Sequence, residues 1–401
     1  MRILAITNLF PNPLQPSRAP FNRQQLAGLA RRHEVAVVAP ILWNEERRAR
    51  RARAGRLRPD RTSRWDGMAA HHPRYLYPPK VLRGLYGRCF LWSIRPTVGR
   101  VLADFRPDVL FSPWAYPDGW AAVEIGRRER IPVVIKVHGS DVNALGAYRA
   151  RRGPTIDALR RADLVIAVGR DLADRIEGLG VAASRIRVVY DGVDAGRFHP
   201  GPSDEARRRL RLPEEGKLVL FVGNLVPVKG LDVLLDACGL LARSGESFRL
   251  ALVGQGPLRP WIERGAARLM PGVQVMLAGS RPHDEIADWY RAADLLVLPS
   301  RSEGVPSVLL ESASCGLPFV ATRVGGIPEI AHLGAGRLVP SGDAGALAAA
   351  IRDGLAGRFA PPAGDSIARG HDEAAAELSE LFESVAVRSR APSPTCNQPD
   401  A

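Results

Sequence analysis

Cysteine is scarce in this chain. The four residues Cys89, Cys238, Cys315 and Cys396 lie far apart and in no metal-ligand spacing. That excludes a disulfide framework and a structural zinc site, and it fits a reducing, cytoplasmic compartment. Long apolar runs are also absent, which excludes a transmembrane helix. The opening Met1-Arg-Ile-Leu-Ala-Ile-Thr-Asn-Leu-Phe10 is short, broken by Thr7 and Asn8, and followed by Pro11 and Pro13. It reads as a first buried strand, not a secretion signal. No Gly-x-Gly-x-x-Gly follows that strand, which argues against a dinucleotide oxidoreductase, and no Gly-x4-Gly-Lys-Ser/Thr motif occurs anywhere. Nor is there an acidic pair suited to Mg²⁺, so no metal and no cofactor are expected.

Acidic charge is thin in the first half. Residues 1–200 hold 35 Lys+Arg against 18 Asp+Glu, or +17, while the remainder holds 21 against 24, or −3. A basic half suggests an anionic partner, and the anionic inner face of a membrane is the expected one. The rival, a nucleic-acid module working through residues 44–64, would need affinity that falls steeply with salt. No nucleic-acid partner is expected. Arginine supplies nearly all the positive charge, so the rare lysines stand out, Lys136 and Lys229 among them.

At 401 residues the chain suits two domains. Apolar runs predict strands at 2–7, 34–39, 108–112, 132–137, 163–168 and 186–190. Helical patterns fall near 21–32, 94–105, 119–129, 154–161 and 171–179. The arginine-rich 44–64 reads as an exposed loop or a frayed helix. His199-Pro-Gly-Pro-Ser-Asp204 reads as a linker. A second alternating series follows, with strands at 217–222, 249–253, 273–277, 294–298, 318–322 and 337–339. Its helices are expected near 230–243, 257–269, 284–292, 306–315 and 343–355. Such alternation means parallel sheets wrapped by helices. The fold class is α/β, with two doubly wound, Rossmann-like parallel-sheet domains facing a cleft. The domains are 1–198 and 199–370. A C-terminal helix at 371–390 and a disordered tail at 391–401 follow.

The most specific signal is Glu303-Gly-Val-Pro-Ser-Val-Leu-Leu-Glu311. Leu295-Leu-Val-Leu-Pro299 is a short buried strand, Glu303-Gly304 a turn, and Pro306 suits a first helical position. The N–H groups of Ser307 and Val308 then open a helix and form a ready anion site. Glu303 lies before the helix and Glu311 about a turn and a half inside it. An acid near a helix start also suits the dipole alone. The Gly-Leu-Pro and Gly-Gly-Ile-Pro-Glu329 runs that follow tip the balance toward a ligand, as does a second loop. There, Leu218-Val-Leu-Phe-Val222 leads through Gly223-Asn224 to Lys229-Gly230 and a helix. Lys229 can meet a diphosphate as a point charge, and the Asn224 amide can donate to it.

Gly254-Gln-Gly256-Pro257 is a third strand–glycine–helix junction, explained equally by a tight turn. Lys136-Val-His138-Gly-Ser-Asp141-Val-Asn143 ends a strand, where ligands of open α/β sheets bind. Trp114-Ala-Tyr116-Pro-Asp118 ends another. Trp114, Tyr116, Asp118 and Asp141 are candidates for gripping an acceptor, with packing as the alternative for the aromatics.

These residues together carry a family resemblance. The chain resembles the family 4 glycosyltransferases, retaining enzymes of the GT-B fold, over residues 1–388. The likeness is strongest at Gly223 to Gly230, Gly254 to Pro257, and Pro299 to Glu329. It extends to His138–Asn143 and Val189-Tyr-Asp-Gly-Val-Asp194-Ala-Gly-Arg-Phe198. The resemblance implies transfer of a sugar from a nucleotide diphosphate sugar to a glycan or lipid-linked acceptor hydroxyl. Glu303 would hold the donor sugar, Glu311 the ribose, and backbone around Gly304, Val305 and Ser307 the phosphate. Lys229 would neutralise the departing diphosphate. His138 would border the sugar, and backbone near Arg281 would meet the base. It also implies that the C-terminal helix crosses back onto the first domain. The chain departs from the family pattern at Asn224 and Asp191, where Arg and Asn are common. The Pro11–Phe21 loop lacks the paired glycines often seen there. A nucleotide-sugar epimerase of the same fold remains a second reading, and a glycoside hydrolase using Glu303 and Glu311 a third.

Overall fold

The computed structural model describes residues 1–16, 18–51, 55–78, 83–146, 149–267, 269, 272–359 and 369–390. The tail expected at 391–401, with Cys396, lies outside the described residues. The chain divides into two compact units. Unit 1 comprises Met1–Ala167, Ala173–Val189 and the residues from Ala374 onward. Unit 2 comprises Val168–Leu172 and Tyr190–Glu373.

In unit 1 the strands are β1 (Arg2–Ile6), β2 (Glu34–Val38), β3 (Ile41–Leu42), β4 (Thr62–Trp65), β5 (Met68–His71), β6 (Arg74–Tyr75), β7 (Val109–Ser112), β8 (Val133–Val137), β9 (Leu164–Ala167) and β10 (Ile186–Val188). Eight form one sheet in the order β10-β9-β8-β7-β1-β2-β5-β4, while β3 and β6 pair separately. Neighbours run parallel except at the β4–β5 edge. Runs such as Val-Leu-Phe-Ser and Leu-Val-Ile-Ala are buried throughout, as strands covered on both faces must be. In the last helix, His371–Arg390, the residues Leu378, Phe382 and Val385 join Ile3, Phe111 and Ile166 in the unit 1 core.

Unit 2 has β11 (Leu218–Val222), β12 (Phe248–Val253), β13 (Val273–Gly279), β14 (Leu295–Leu298), β15 (Phe319–Thr322) and β16 (Gly336–Val339). Their order is β13-β12-β11-β14-β15-β16, all parallel. The strand order reverses between β11 and β14. That topological switch point opens a crevice at the C-terminal strand ends.

The two parallel-sheet units match the expected fold class. Two local expectations fail, and a third, the exposed loop or frayed helix at 44–64, is met only in part. The helix expected at 94–105 runs Tyr86–Phe105, because Gly87, Phe90, Ile94, Val98 and Val101 keep one buried face. Pro96 sits on its exposed side and does not end it. The supposed linker runs into the helix Ser203–Arg209. Buried Arg207 there donates to the carbonyls of Ala292, Glu214 and Gly216 and to Asp294. The segment 44–64, apart from 52–54, which are outside the described residues, is largely ordered. It begins in the helix Trp43–Arg51 and ends in β4. Its anchor is Glu46, 2% exposed, which accepts from Arg74 at 3.0 and 3.0 Å and from Arg61 at 3.4 and 3.2 Å.

Those guanidinium bonds, Arg74 first, outweigh burial and hold the Glu46 carboxyl down at about 2. A depressed folded pKa contributes stability that is full above the unfolded value and lost as pH falls through the folded one. Glu46→Gln is therefore expected to cost about 2 kcal/mol at neutral pH, less than a fully buried pair because Arg74 is half-exposed. Urea denaturation checks this: the gap to the parent narrows between about pH 4.5 and pH 2. A gap independent of pH would contradict the assignment.

Candidate active site

In unit 2, β11 and β14 are neighbours, so the loops leaving their C-terminal ends lie side by side. Lys229 ends a short 3₁₀ turn, Pro227–Lys229, and Gly230 follows as the cap of Leu231–Arg243. Glu303 lies on the β14 loop. Lys229 Nζ donates to Glu303 Oε1 at 2.6 Å, and Ser300 Oγ donates to the same oxygen at 2.5 Å. The pair is 20% and 11% exposed, enough for a ligand to reach and too little for water to screen fully. Ser300 is held in turn: Thr322 Oγ1 donates to its carbonyl at 2.5 Å.

Backbone packs on backbone along this edge. A methyl group on Gly254 would lie 1.9 Å from Gly223 O, and one on Gly325 would lie 2.1 Å from Glu303 O. Both glycines also have positive φ, 148° and 53°. Gly326 N–H donates to Gly304 O at 2.9 Å. The loops after β11, β12, β14 and β15 are thereby fixed to one another.

The helix after Glu303 runs Ser307–Ser314, with Pro306 at the cap in extended conformation, one residue earlier than its sequence suggests. Leu309 N–H donates to Pro306 O at 3.1 Å, so the Ser307 and Val308 N–H groups precede the first helical bond. Gly316 ends the helix with φ of 76°. Its N–H bonds Ala313 O at 3.0 Å and Leu317 N–H bonds Ser312 O at 2.9 Å, which closes a Schellman motif.

Glu311 is 8% exposed. Tyr290 OH donates to its Oε2 at 2.8 Å, and His283 Nε2 lies 3.3 Å from Oε1. Arg197 Nη1 lies 2.6 Å from His283 Nδ1. Arginine can only donate, so Nδ1 accepts and Nε2 carries the hydrogen toward Glu311. A carboxylate offers about four lone pairs. Glu311 therefore keeps acceptor capacity for ligand hydroxyls while its orientation is fixed. Burial, with Glu311 beside it, pushes the Tyr290 phenol well up and keeps it a donor.

Other expected residues stand further out. Asn224 is exposed on the β11 loop, and Gly254 closes β12 against it. Val305 is buried under Gly326. Arg281 is on the loop after β13, two strands from Lys229. Its side chain turns back to Ala278 O and Glu285 and over the Trp289 ring. Glu329 caps the helix Arg170–Gly178, accepting from Arg170 N–H at 2.7 Å, Asp171 N–H at 2.8 Å and Tyr190 OH at 2.7 Å.

In unit 1, β7 and β8 end in the other two expected clusters. Trp114 stacks on His138 with ring centroids 6.5 Å apart, and Phe21 flanks that imidazole at 5.0 Å. Asp141 Oδ1 accepts the N–H groups of His138 at 3.1 Å and Gly139 at 3.0 Å, and its Oδ2 accepts Ala115 N–H at 3.3 Å. It thus staples the β8 loop to the β7 loop. Tyr116 and Asp118 turn inward. Tyr116 OH accepts Gly87 N–H at 2.7 Å. Asp118, fully buried, accepts Asn8 N–H and so staples the β7 loop to the β1 loop. Its Oδ2 finds no hydrogen-bond partner among the described residues. Burial pushes Asp118 up to about 7 and Asp141 up to about 6.

The chain is similar to known proteins. Residues 22–197 match the model of Glycosyltransferase Family 4, and residues 202–363 match that of Glycosyl transferases group 1. D-inositol 3-phosphate glycosyltransferase 1 of Catenulispora acidiphila is 34% identical over 283 residues, 63% of this chain and 67% of that protein. The chain belongs to glycosyltransferase family 4. A glycosyltransferase of Bacillus subtilis strain 168 named for teichuronic acid biosynthesis, TuaC, is 29% identical over 363 residues, 88% of each chain. The crystal structure of Anabaena Alr3699/HepE in complex with UDP and glucose superposes with a TM-score of 0.70 at 19% identity, over 96% of this chain and 99% of that one. WaaG, a glycosyltransferase involved in lipopolysaccharide biosynthesis, gives 0.63 at 17% identity, over 98% and 100%. The fold is GT-B and the protein is a glycosyltransferase.

Sequence reasoning on this transferase missed the partners more than the principals. Tyr290 and His283 lie seven residues apart on the helix His283–Ala292. A buried tyrosine hydroxyl needs a partner, and that was the available signal. Nothing local points from Asn8 to Asp118, 110 residues away.

Asp118 supplies a test. The folded chain keeps its proton to about pH 7, whereas the unfolded chain releases it near 3.8. The folded state binds the extra proton in that window, so this group makes stability fall as pH rises through it. Asp118→Asn cannot ionise. The melting temperature of the variant minus that of the parent is expected to climb between about pH 4 and pH 7, then level. A difference that is flat across this range would contradict the burial argument.

Proposed function

We propose that this transferase moves a sugar from a nucleotide diphosphate sugar to an acceptor hydroxyl, with retained anomeric configuration. The Lys229–Glu303 pair at the switch point of unit 2 carries the reading. A cation and a carboxylate in contact there match the two ends of a sugar diphosphate. Lys229 releases Glu303 and meets the diphosphate, and Glu303 accepts from sugar hydroxyls. The N–H groups of Ser307 and Val308, with backbone at Gly304 and Val305, bind phosphate oxygens. Glu311 accepts from the ribose diol on the lone pairs that Tyr290 and His283 leave. Asn224 adds an amide donor where many relatives carry a cation.

The chemical problem is negative charge growing on the departing diphosphate. Donors already aimed at that charge stabilise it without reorganisation. With Lys229 and a helix N-terminus in that role, no divalent ion takes part, and a chelator leaves the rate unchanged. HepE, of the same fold, was crystallised with UDP and glucose, which supports UDP as the first nucleotide to try. Retention is taken from the family. The acceptor is a glycan or a lipid-linked glycan in cell-surface polysaccharide synthesis, a reading supported by the name of TuaC. The epimerase alternative is disfavoured, since the similar proteins named above are transferases.

Screening nucleotide sugars by thermal shift tests the donor, because a ligand of the folded state alone raises the melting temperature. Lys229→Ala and Glu303→Ala are each expected to lower turnover roughly 100-fold or more, with the fold retained even where the melting temperature drops. Near-parental turnover in both would remove the assignment.

A further inference from the structure

We propose that one face of unit 1, built on the helix Tyr86–Phe105, is a docking surface for an anionic lipid bilayer. Arg88, Trp92, Arg95 and Gly99 are exposed along this helix, at spacings of four, three and four residues. They form one stripe. Trp92 is 67% exposed, and Leu85 and Leu76 add 38% and 43% exposed apolar side chains. Leu76 N–H donates to Ser93 Oγ at 3.0 Å, which ties it to the flank of that helix.

On its other side Leu76 lines an open pocket of about 440 Å³ with Trp43, Glu46, Arg47, Arg51 and Arg74. Glu46 is already satisfied by Arg61 and Arg74. Among the described residues, Arg47, Arg51, Arg88 and Arg95 have no acidic partner at salt-bridge distance. The sequence contains no Asp or Glu between Asp66 and Asp104. The face therefore presents uncompensated positive charge around an exposed indole.

That combination fits a lipid surface. Tryptophan prefers the bilayer interface, where its ring is half apolar and its N–H is wet. Arginine stems lie along apolar surface while their heads reach anionic phosphate. The exposed leucines gain contact with acyl chains, which a nucleic acid cannot offer. No helix among the described residues is long and apolar enough to cross a membrane, so the attachment is peripheral. The start of the helix is hydrogen-bonded, through Gly87 N–H and Tyr116 OH, to the loop that follows β7. If the transfer proposed above holds, a lipid-linked acceptor arrives beside that loop. The docking surface itself does not depend on the donor chemistry.

The test is co-sedimentation of the full chain with phosphatidylglycerol-containing vesicles and with pure phosphatidylcholine vesicles. Binding to the anionic vesicles is expected, with loss at about 0.5 M salt. The double variant Arg88→Ala/Arg95→Ala should bind about 25-fold more weakly, roughly fivefold per arginine. Adding Trp92→Ser should weaken it further. All three side chains are exposed, so melting temperature and transfer to a soluble acceptor should not change. Equal binding to both vesicle types, or parental binding by the triple variant, would overturn the proposal. So would displacement of the vesicles by homopolymeric RNA at equal phosphate.

Discussion

The contact between Lys229 Nζ and Glu303 Oε1 is what the rest of unit 2 is arranged to make. It joins two loops that are far apart in sequence and adjacent only because β11 lies beside β14. Two opposite charges at this distance attract strongly where water is partly excluded, and either one alone would be costly to hold there. A ligand that carries both an anion and hydroxyls can exchange with that contact without leaving either group unpaired. The pair is therefore a resting arrangement that preserves two charges for the donor.

The two units hold their strand-end loops in different ways. In unit 2 the means is close backbone approach, as where Gly254 meets Gly223 O and Gly325 meets Glu303 O. No titratable group is involved, so that geometry does not depend on pH. Unit 1 uses buried carboxyls: Asp118 bridges the β7 loop to Asn8, and Asp141 bridges the β8 loop to Ala115. Burial raises both toward neutrality. The order of the unit 1 loops is thus coupled to protonation in a way that the glycine contacts of unit 2 are not.

Much of this was legible from sequence. The expected strands stand out because each is a short, mainly apolar run, whereas β3 to β6 are too short or too polar to be read, and the spacing from Glu303 to Glu311 fixes one carboxylate before a helix and one inside it. What escaped reading depends on partners distant in the chain. Glu46 turns an arginine-rich stretch into ordered structure only through Arg61 and Arg74. Tyr116 and Asp118 look like acceptor-facing residues until the sheet places Gly87 and Asn8 against them. Lys229 and Glu303 were both expected to face the donor, yet their contact with each other follows from strand order, which no local pattern encodes.

If the ion pair is one unit that opens onto one donor, its two members must be energetically coupled. The direct measurement is a double-mutant cycle on kcat/KM for the donor, using Lys229→Ala, Glu303→Ala and the double variant. The account predicts strong non-additivity, with the double variant losing little more than the worse single one. Losses that multiply across the two substitutions would contradict it.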